Sequence, residues 1–395
     1  MSKTVGIYAG SFDPVTNGHL DIIRRASNLF DKVIIAVGIN ANKKYTFSTE
    51  DRIKMIKDLV GLNPKSGSLD HLIYRPVSNA SVISMDNDLL VHFAKSVNAT
   101  HIVRGIRSHK DFDDESLMQR INKDIDPSVE TVFFIPNKEF IDVSSSLVKA
   151  LVGPKYWHYI IVKYVPGNVL EQLAKKEFKK ICTELGLNES GTEQVWKKYV
   201  VHPRYYHNPL HILDVFSDLN TYSGLFLDDL NAAKYALLFH DVEDTEAKSF
   251  EFFNAANYIT FINKAMTYGE KAFINKVKSL IMATDHSRTD FDTFSNSEKL
   301  VHDLDLMILA SDQIIYDQYA ADVEKEYTSK GKISKKEYYE GREKVLQMFL
   351  KREEGSLFLH EAFKELEEKA RNNMTKESIM KWSELREERE LQKGK

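Results

Sequence analysis

Residues 10–19 read GSFDPVTNGH and stand between an apolar run, VGIYAG (5–10), and an amphipathic stretch that starts near Asn17. A run of apolar residues without alternation reads as a strand buried on both faces, and a glycine, a turn and a helix start after it make the opening of a β-α-β unit. The crevice of such a unit lies at the carboxyl ends of its strands, where a helix N-terminus offers free N–H groups and partial positive charge to a phosphate. Gly10 lets the backbone come close to a ligand, Asp13-Pro14 makes the turn, and Asn17-Gly18 opens the helix so that His19 points back into the crevice. An imidazole so placed can donate a hydrogen bond to a phosphoryl oxygen as charge builds on it. Taken singly, these are ordinary turn and cap residues.

The same alternation continues outward. KVIIAVGI (32–39), HLIYR (71–75), HIVRG (101–105) and ETVFFIP (130–136) read as strands, and segments starting near Ser48, Asp88, Asp113 and Ser144 read as helices. Strands with helices between them imply crossovers onto a parallel sheet, hence a doubly wound, Rossmann-like α/β domain over 1–166. Val165-Pro166-Gly167 punctuates the change, because Pro and Gly break a running pattern. From 167 to 395 the chain shows helical period only, as in NVLEQLAKKEFKKICTELGL (168–187), AAKYALLFHD (232–241) and EGREKVLQMFLKR (340–352), and reads as an all-α domain. There is no internal repeat, and the charged end, LREERELQKGK (385–395), reads as a solvated helix end.

Composition agrees with two cores: 395 residues, 43% hydrophobic and 28% charged. Lys and Arg number 54 against 58 Asp and Glu, so the net charge is −4 and no nucleic-acid partner is expected. The lone Cys182 excludes an intramolecular disulfide or a multi-cysteine zinc site and fits a reducing compartment. The opening MSKTVGIYAG lacks the apolar core of a signal peptide, and no stretch approaches the ~18 apolar residues of a membrane span. A cytoplasmic chain with no membrane partner is the expectation.

TNGH (16–19) occupies the place of the HxGH signature of the nucleotidyltransferase superfamily, and SFDPVTNGHLDIIRRA (11–26) closely resembles its phosphopantetheine adenylyltransferase version. NANKKYTFSTEDR (40–52), IVRGIRSHKDFDDE (102–115) and ETVFFIPNKEFIDVSSSLVKAL (130–151) are similar to further blocks of that family, in the family's order. Chemically, Lys43, Arg104 and Arg107 supply cations at strand ends, and Ser144, Ser145 and Ser146 start a helix whose N–H groups can hold pyrophosphate. The resemblance implies ATP contacts at Ser11, Phe12, His19, Gly105, Ile106, Arg107, Glu115, Phe140, Ile141, Asp142, Val143, Ser144, Ser145 and Ser146. It implies acceptor contacts at Ser11, Lys43, Leu90 and Arg104, with His19, Lys43, Arg104 and Arg107 as the catalytic set. The implied reaction joins ATP, escorted by Mg2+, to 4′-phosphopantetheine, giving dephospho-CoA and pyrophosphate, in an enzyme family that is commonly a homo-oligomer. The sequence departs from the family in a longer segment before Leu90 and in Asp114, where a Tyr is common. The longer segment leaves a different phosphorylated acceptor as the alternative.

A second constellation lies in the helical half: RYYHNPLHILDVF (204–216), LLFHDVEDTE (237–246) and VHDLDLMIL (301–309). Neutral imidazoles and carboxylates suit a divalent transition metal, such as Mn, Fe, Co, Ni or Zn. Together with ATDH (283–286), the strings resemble a branch of the HD-domain metal-dependent phosphohydrolases. The resemblance implies metal ligands at His211, His240 and Asp241 and a fourth at Asp305 or Asp303, which project differently from one helix. Asp305 is preferred, since it falls where the wider superfamily has its ligand aspartate. His207, Glu246 and His286 are the implied outer-shell or general-acid candidates. After His240-Asp241 the branch's usual loop is replaced by VEDTEAKS (242–249), so a regulatory or structural helical domain is the alternative to a hydrolase.

Overall fold

The computed structural model describes residues 3–39, 43–61, 76–85, 88–201, 204–243, 245–255, 270–329, 333–353 and 355–393. The chain divides into two compact units, Met1–Leu173 and Ala174–Lys395.

The first unit runs β1 (Val5–Gly10), α1 (Asn17–Leu29), β2 (Lys32–Gly38), α2 (Thr49–Val60), β3 (Ala80–Met85), α3 (Leu90–Ser96), β4 (His101–Gly105), α4 (His109–Ile125) and β5 (Glu130–Phe134). Two short helices follow, α5 (Ser145–Leu151) and α6 (Trp157–Ile161), and then the start of α7 (Gly167–Glu184). Every strand pairing is parallel, in the order β3-β2-β1-β4-β5. The order turns back at β1, so the exits of β1 and β4 flank the switch point where open α/β sheets bind ligands. The strand read at 71–75 lies outside the described residues, and the third strand of the sheet is Ala80–Met85. Helix α4 starts at His109, a turn before Asp113, because the Ser108 hydroxyl caps it by accepting from the Asp111 N–H at 3.1 Å.

The central strands are apolar because both their faces are covered. Ile7, Ala9, Ile34, Ala36 and Ile102 pack against Val91, Ala94, Ala99 and Val129 in one buried cluster. Gly6 allows a close approach elsewhere: a Cβ there would stand 2.6 Å from Cδ2 of Phe30, whose ring is itself buried.

The second unit carries the rest of α7, then α8 (Glu189–Tyr199), α9 (Pro209–Thr221), α10 (Leu230–Phe239), α11 (Glu246–Ala255) and α12 (Glu270–Met282). It continues with α13 (Asn296–Leu306), α14 (Gln313–Thr328), α15 (Lys335–Leu350) and α16 (Glu367–Lys393), with no β-strand among the described residues. Helix α10 is buried almost all round, and Val277, Leu280, Leu300, Val301 and Leu304 belong to the same interior. Cys182 is buried in α7, and burial pushes its thiol up to about 12, so it is an inert core residue. The buried Arg342 on α15 donates to Glu377 on α16 at 2.9 and 3.0 Å, and the Tyr316 hydroxyl on α14 donates to the same carboxylate at 2.6 Å. Among the described residues no helix is long and apolar enough to cross a membrane.

Gly6→Ala is expected to lower stability by ~1–3 kcal/mol, the usual cost of overpacking, in urea unfolding. In a Phe30→Leu background the loss should shrink, since neighbouring sites couple. An equal loss in both backgrounds would show that the Phe30 ring is not what Gly6 accommodates.

Candidate active site and metal centre

At the exit of β1 the chain turns through Phe12, at φ 49°, and enters α1 through Thr16. Thr16 and His19 form a capping box: the His19 N–H donates to the Thr16 hydroxyl at 3.4 Å, and the Thr16 N–H donates to Nδ1 of His19 at 3.0 Å. Because Nδ1 accepts, the ring proton of a neutral His19 sits on Nε2. The ring stacks edge-on to Phe12 with centroids 5.0 Å apart. Burial, aided by the Arg107 cation, lowers its pKa to about 4, so the imidazole is neutral and donates through Nε2 alone.

The loop after β2 is tied to the loop after β1. Asp13 accepts from the Thr46 N–H at 2.9 Å, the Phe47 N–H at 2.9 Å and the Lys149 ammonium at 3.2 Å. Arg52 returns the connection, donating to the Ser11 carbonyl at 2.6 Å and the Gly38 carbonyl at 3.1 Å. Lys43 is exposed at the start of this loop, and Leu90 opens α3 against the core.

Beyond β4, Arg104 makes a two-point ion pair with Glu115, at 2.6 Å through Nε, and donates to the Ala9 carbonyl at 3.0 Å. The resemblance assigns these two side chains to different ligands, yet they are bonded to each other. Gly105 lies where a Cβ would stand 2.3 Å from Cδ1 of Ile22, and the Ile106 N–H pairs with the Phe134 carbonyl. Arg107 donates to Asp111 at 3.0 Å and to the Val143 carbonyl at 3.3 Å. A short turn ends at Phe140, and Ile141, Asp142 and Val143 lead into the cap of α5. There the Ser144 hydroxyl accepts from the Leu147 N–H, the Ser145 hydroxyl donates to the Pro14 carbonyl at 2.8 Å, and Ser146 is exposed.

In the second unit His211 of α9, His240 and Asp241 just after α10, and Asp305 of α13 bring one ligand atom each within 4.8 Å of one another. Nε2 of His211 lies 3.3 Å from Nε2 of His240 and 3.2 Å from Asp305, and Nε2 of His240 lies 3.2 Å from Asp241 and 3.1 Å from Asp305. Nδ1 of His240 lies 3.0 Å from the Leu237 carbonyl, a bond that directs its Nε2 lone pair into the cluster. His286 engages the second oxygen of Asp305 at 3.0 Å. Burial by itself would lower the His211 pKa, but Asp241 and Asp305 raise it to about 9, so the set holds a proton where a cation could sit. Two imidazoles and two carboxylates facing one point fit a divalent transition metal.

Asp303 faces elsewhere. It is fully buried, accepts from the Leu359 and His360 N–H groups at 2.8 and 2.6 Å, and burial raises its pKa to about 7. His207 pairs through Nδ1 with Glu326 at 2.8 Å, and Glu246 opens α11 with its pKa raised, first by burial. Arg204 donates to the carbonyls of Asp241 and His207 and thereby holds the backbone of the cluster. Sequence reasoning assigned no role to Arg52, Arg204 or Glu326. Arg52 had a signal, since it sits on the face of α2 formed by Met55, Ile56, Leu59 and Val60.

The five-stranded parallel α/β unit has a nucleotidyltransferase fold: residues 7–151 match the family model described as Cytidylyltransferase-like. Phosphopantetheine adenylyltransferase of Chromobacterium violaceum is 42% identical over 167 residues, 42% of this chain and 93% of that protein. The same-named protein of Streptococcus uberis is 42% identical over 173 residues, 44% of this chain and 94% of that protein. The chain belongs, through its N-terminal region, to the phosphopantetheine adenylyltransferase family.

An NMR titration of the His19 ring should show the Nε2-protonated form and a midpoint near 4, against an ordinary 6.5. Since the folded value is the lower one, the stability that His19 contributes is complete above pH 6.5 and is lost as pH falls toward 4. A midpoint above 6 would contradict the half-buried, neutral imidazole.

Proposed function

We propose that the first domain, 1–166, transfers the adenylyl group of ATP to 4′-phosphopantetheine, giving dephospho-CoA and pyrophosphate. What carries this reading is a neutral His19 donating through Nε2 at the exit of β1, in a chain 42% identical to proteins named for that reaction. Adenylyl transfer asks the protein mainly for positioning and charge neutralisation. An oxygen of the acceptor phosphate attacks the α-phosphorus, and the bond to the bridging oxygen of pyrophosphate breaks. His19 donates to a phosphoryl oxygen of the crowded transition state, Lys43 and Arg104 hold the acceptor phosphate, and Arg107 with the backbone N–H groups of residues 144–146 receives the pyrophosphate. Mg2+ accompanies the triphosphate and offsets part of its charge. What favours a different phosphorylated acceptor is the resemblance itself, which marks the segment around β3 as longer than in the family.

For 167–395 we propose an HD-type metal-dependent phosphohydrolase acting on a phosphorylated small molecule or nucleotide. His211, His240, Asp241 and Asp305 would hold the ion, which when bound makes a hydroxide available from water at neutral pH. His286 orients Asp305, and Glu326 orients His207. The loop after Asp241 supports the regulatory alternative, because its Glu243 is tied to Lys198 and its N–H to the Ser249 hydroxyl.

With ATP and 4′-phosphopantetheine the wild-type chain should release pyrophosphate, and His19→Ala should lower kcat ~10²–10³-fold, the usual loss for one transition-state donor. Release that does not depend on His19 would defeat the reading. Separately, Asp305→Asn and His240→Ala should cut bound metal, measured by elemental analysis, and abolish Mn2+-dependent phosphate release from a nucleotide panel. Asp303→Asn should keep the metal but destabilise the unit by ~1–3 kcal/mol, since it weakens a buried hydrogen-bonding anchor. Metal retained in Asp305→Asn and lost in Asp303→Asn would reverse the assignment.

A further inference from the structure

Helix α2 buries one face against the sheet, made of Arg52, Met55, Ile56, Leu59 and Val60. Arg52 is the single charged member, and it is 1% exposed. Among the described residues no carboxylate meets it. Nη1 donates to the Ser11 carbonyl at 2.6 Å and the Gly38 carbonyl at 3.1 Å, Nε to the Ser48 carbonyl at 3.3 Å, and Nη2 to the Thr49 hydroxyl at 3.0 Å. Its Cζ lies 4.1 Å from the centroid of the Tyr45 ring. A buried cation without a counter-ion is unfavourable, and an aliphatic residue would fill an apolar helix face at lower cost. A planar fork of five N–H donors does what no aliphatic residue or lysine can, which is to bond several carbonyls in fixed directions at once. Here those acceptors are the exit of β1, the exit of β2 and the first turn of α2.

We propose that Arg52 is a positioning residue for the phosphorylated acceptor: it fixes Ser11 against the loop that carries Lys43, and so sets the separation of two acceptor contacts. This inference rests on the adenylyl-transfer reading. Asp13 ties the same two loops, accepting from Thr46 and Phe47 in the loop that carries Lys43. Of the groups assigned to ATP, Ser11 is shared with the acceptor and Ser145 bonds to Pro14 of the same loop, but Arg107 and Ser144 are held by other bonds, to Val143 and Leu147, whereas Lys43 is assigned to the acceptor alone. Loosening Arg52 therefore disturbs the acceptor side more than the ATP side.

The test is steady-state pyrophosphate release by the full chain, with ATP and 4′-phosphopantetheine varied in turn, for wild type, Arg52→Lys and Arg52→Gln. The acceptor KM should rise about 10-fold or more in both variants while the ATP KM moves by less than about 3-fold. Lysine should not rescue, because it keeps the charge but not the fork. A purely structural role would reduce the fraction of active protein, lowering apparent kcat with both KM values unchanged. Thr49→Val, which removes one acceptor and keeps the side-chain shape, covers the case in which the arginine variants do not fold; it should raise the acceptor KM by about 2- to 3-fold. An unchanged acceptor KM in the soluble variants, or equal rises for both substrates, overturns the proposal. A wild-type chain that releases no pyrophosphate from these substrates fails earlier, taking down the functional reading and this inference with it.

Discussion

Two neighbouring parallel strands, β1 and β2, run in register until Gly10 faces Val37, so their two exits leave the sheet side by side. Strand pairing places these exits but does not hold the loops that follow. That task falls to one reciprocal connection, with Asp13 accepting from the second loop and Arg52 donating to the first. Both side chains are almost completely withdrawn from water, at 2% and 1% exposure, so their hydrogen bonds are made in a medium where leaving one unmade is costly. The loops that leave β1 and β2 are accordingly tied to each other by buried bonds. The cations at β4 form a second layer that uses carboxylates instead, Arg104 with Glu115 and Arg107 with Asp111.

Much of the sheet was readable directly. β1 and β4 follow the apolar runs residue for residue, since a strand buried on both faces has no alternation to confuse and ends where glycine ends it. β3 was not readable in ASVISM, because its polar residues occupy an edge strand that is only partly buried. The residues around His19 were legible as a turn into a helix, but its tautomer was not, because that depends on the Thr16 N–H reaching Nδ1. Arg104 and Glu115 were read as separate contacts because nothing in an eleven-residue spacing announces a pair.

In the helical unit, spacing alone left Asp303 and Asp305 as alternatives, and packing separates them. Two residues apart on α13, they stand on different sides of the helix. Asp305 joins the imidazoles and Asp303 receives two backbone N–H groups from the segment leading to α16. One helix thus anchors the fold with one carboxylate and serves the cluster with the other. Arg204 plays a related part, gripping the backbone carbonyl of Asp241 and leaving its carboxylate to the cluster.

His19 closes the first turn of α1 with Nδ1, and that bond leaves the ring proton on Nε2. The start of the helix and the imidazole that we propose serves a phosphoryl oxygen are therefore a single cooperative object. If that turn frays, Nδ1 loses its donor, the ring can change tautomer and swing, and the crevice is disarmed while almost all of the helix and the entire sheet persist. Catalytic competence in such a design is a reporter of one local opening equilibrium. It can disappear under conditions where circular dichroism still shows an intact protein.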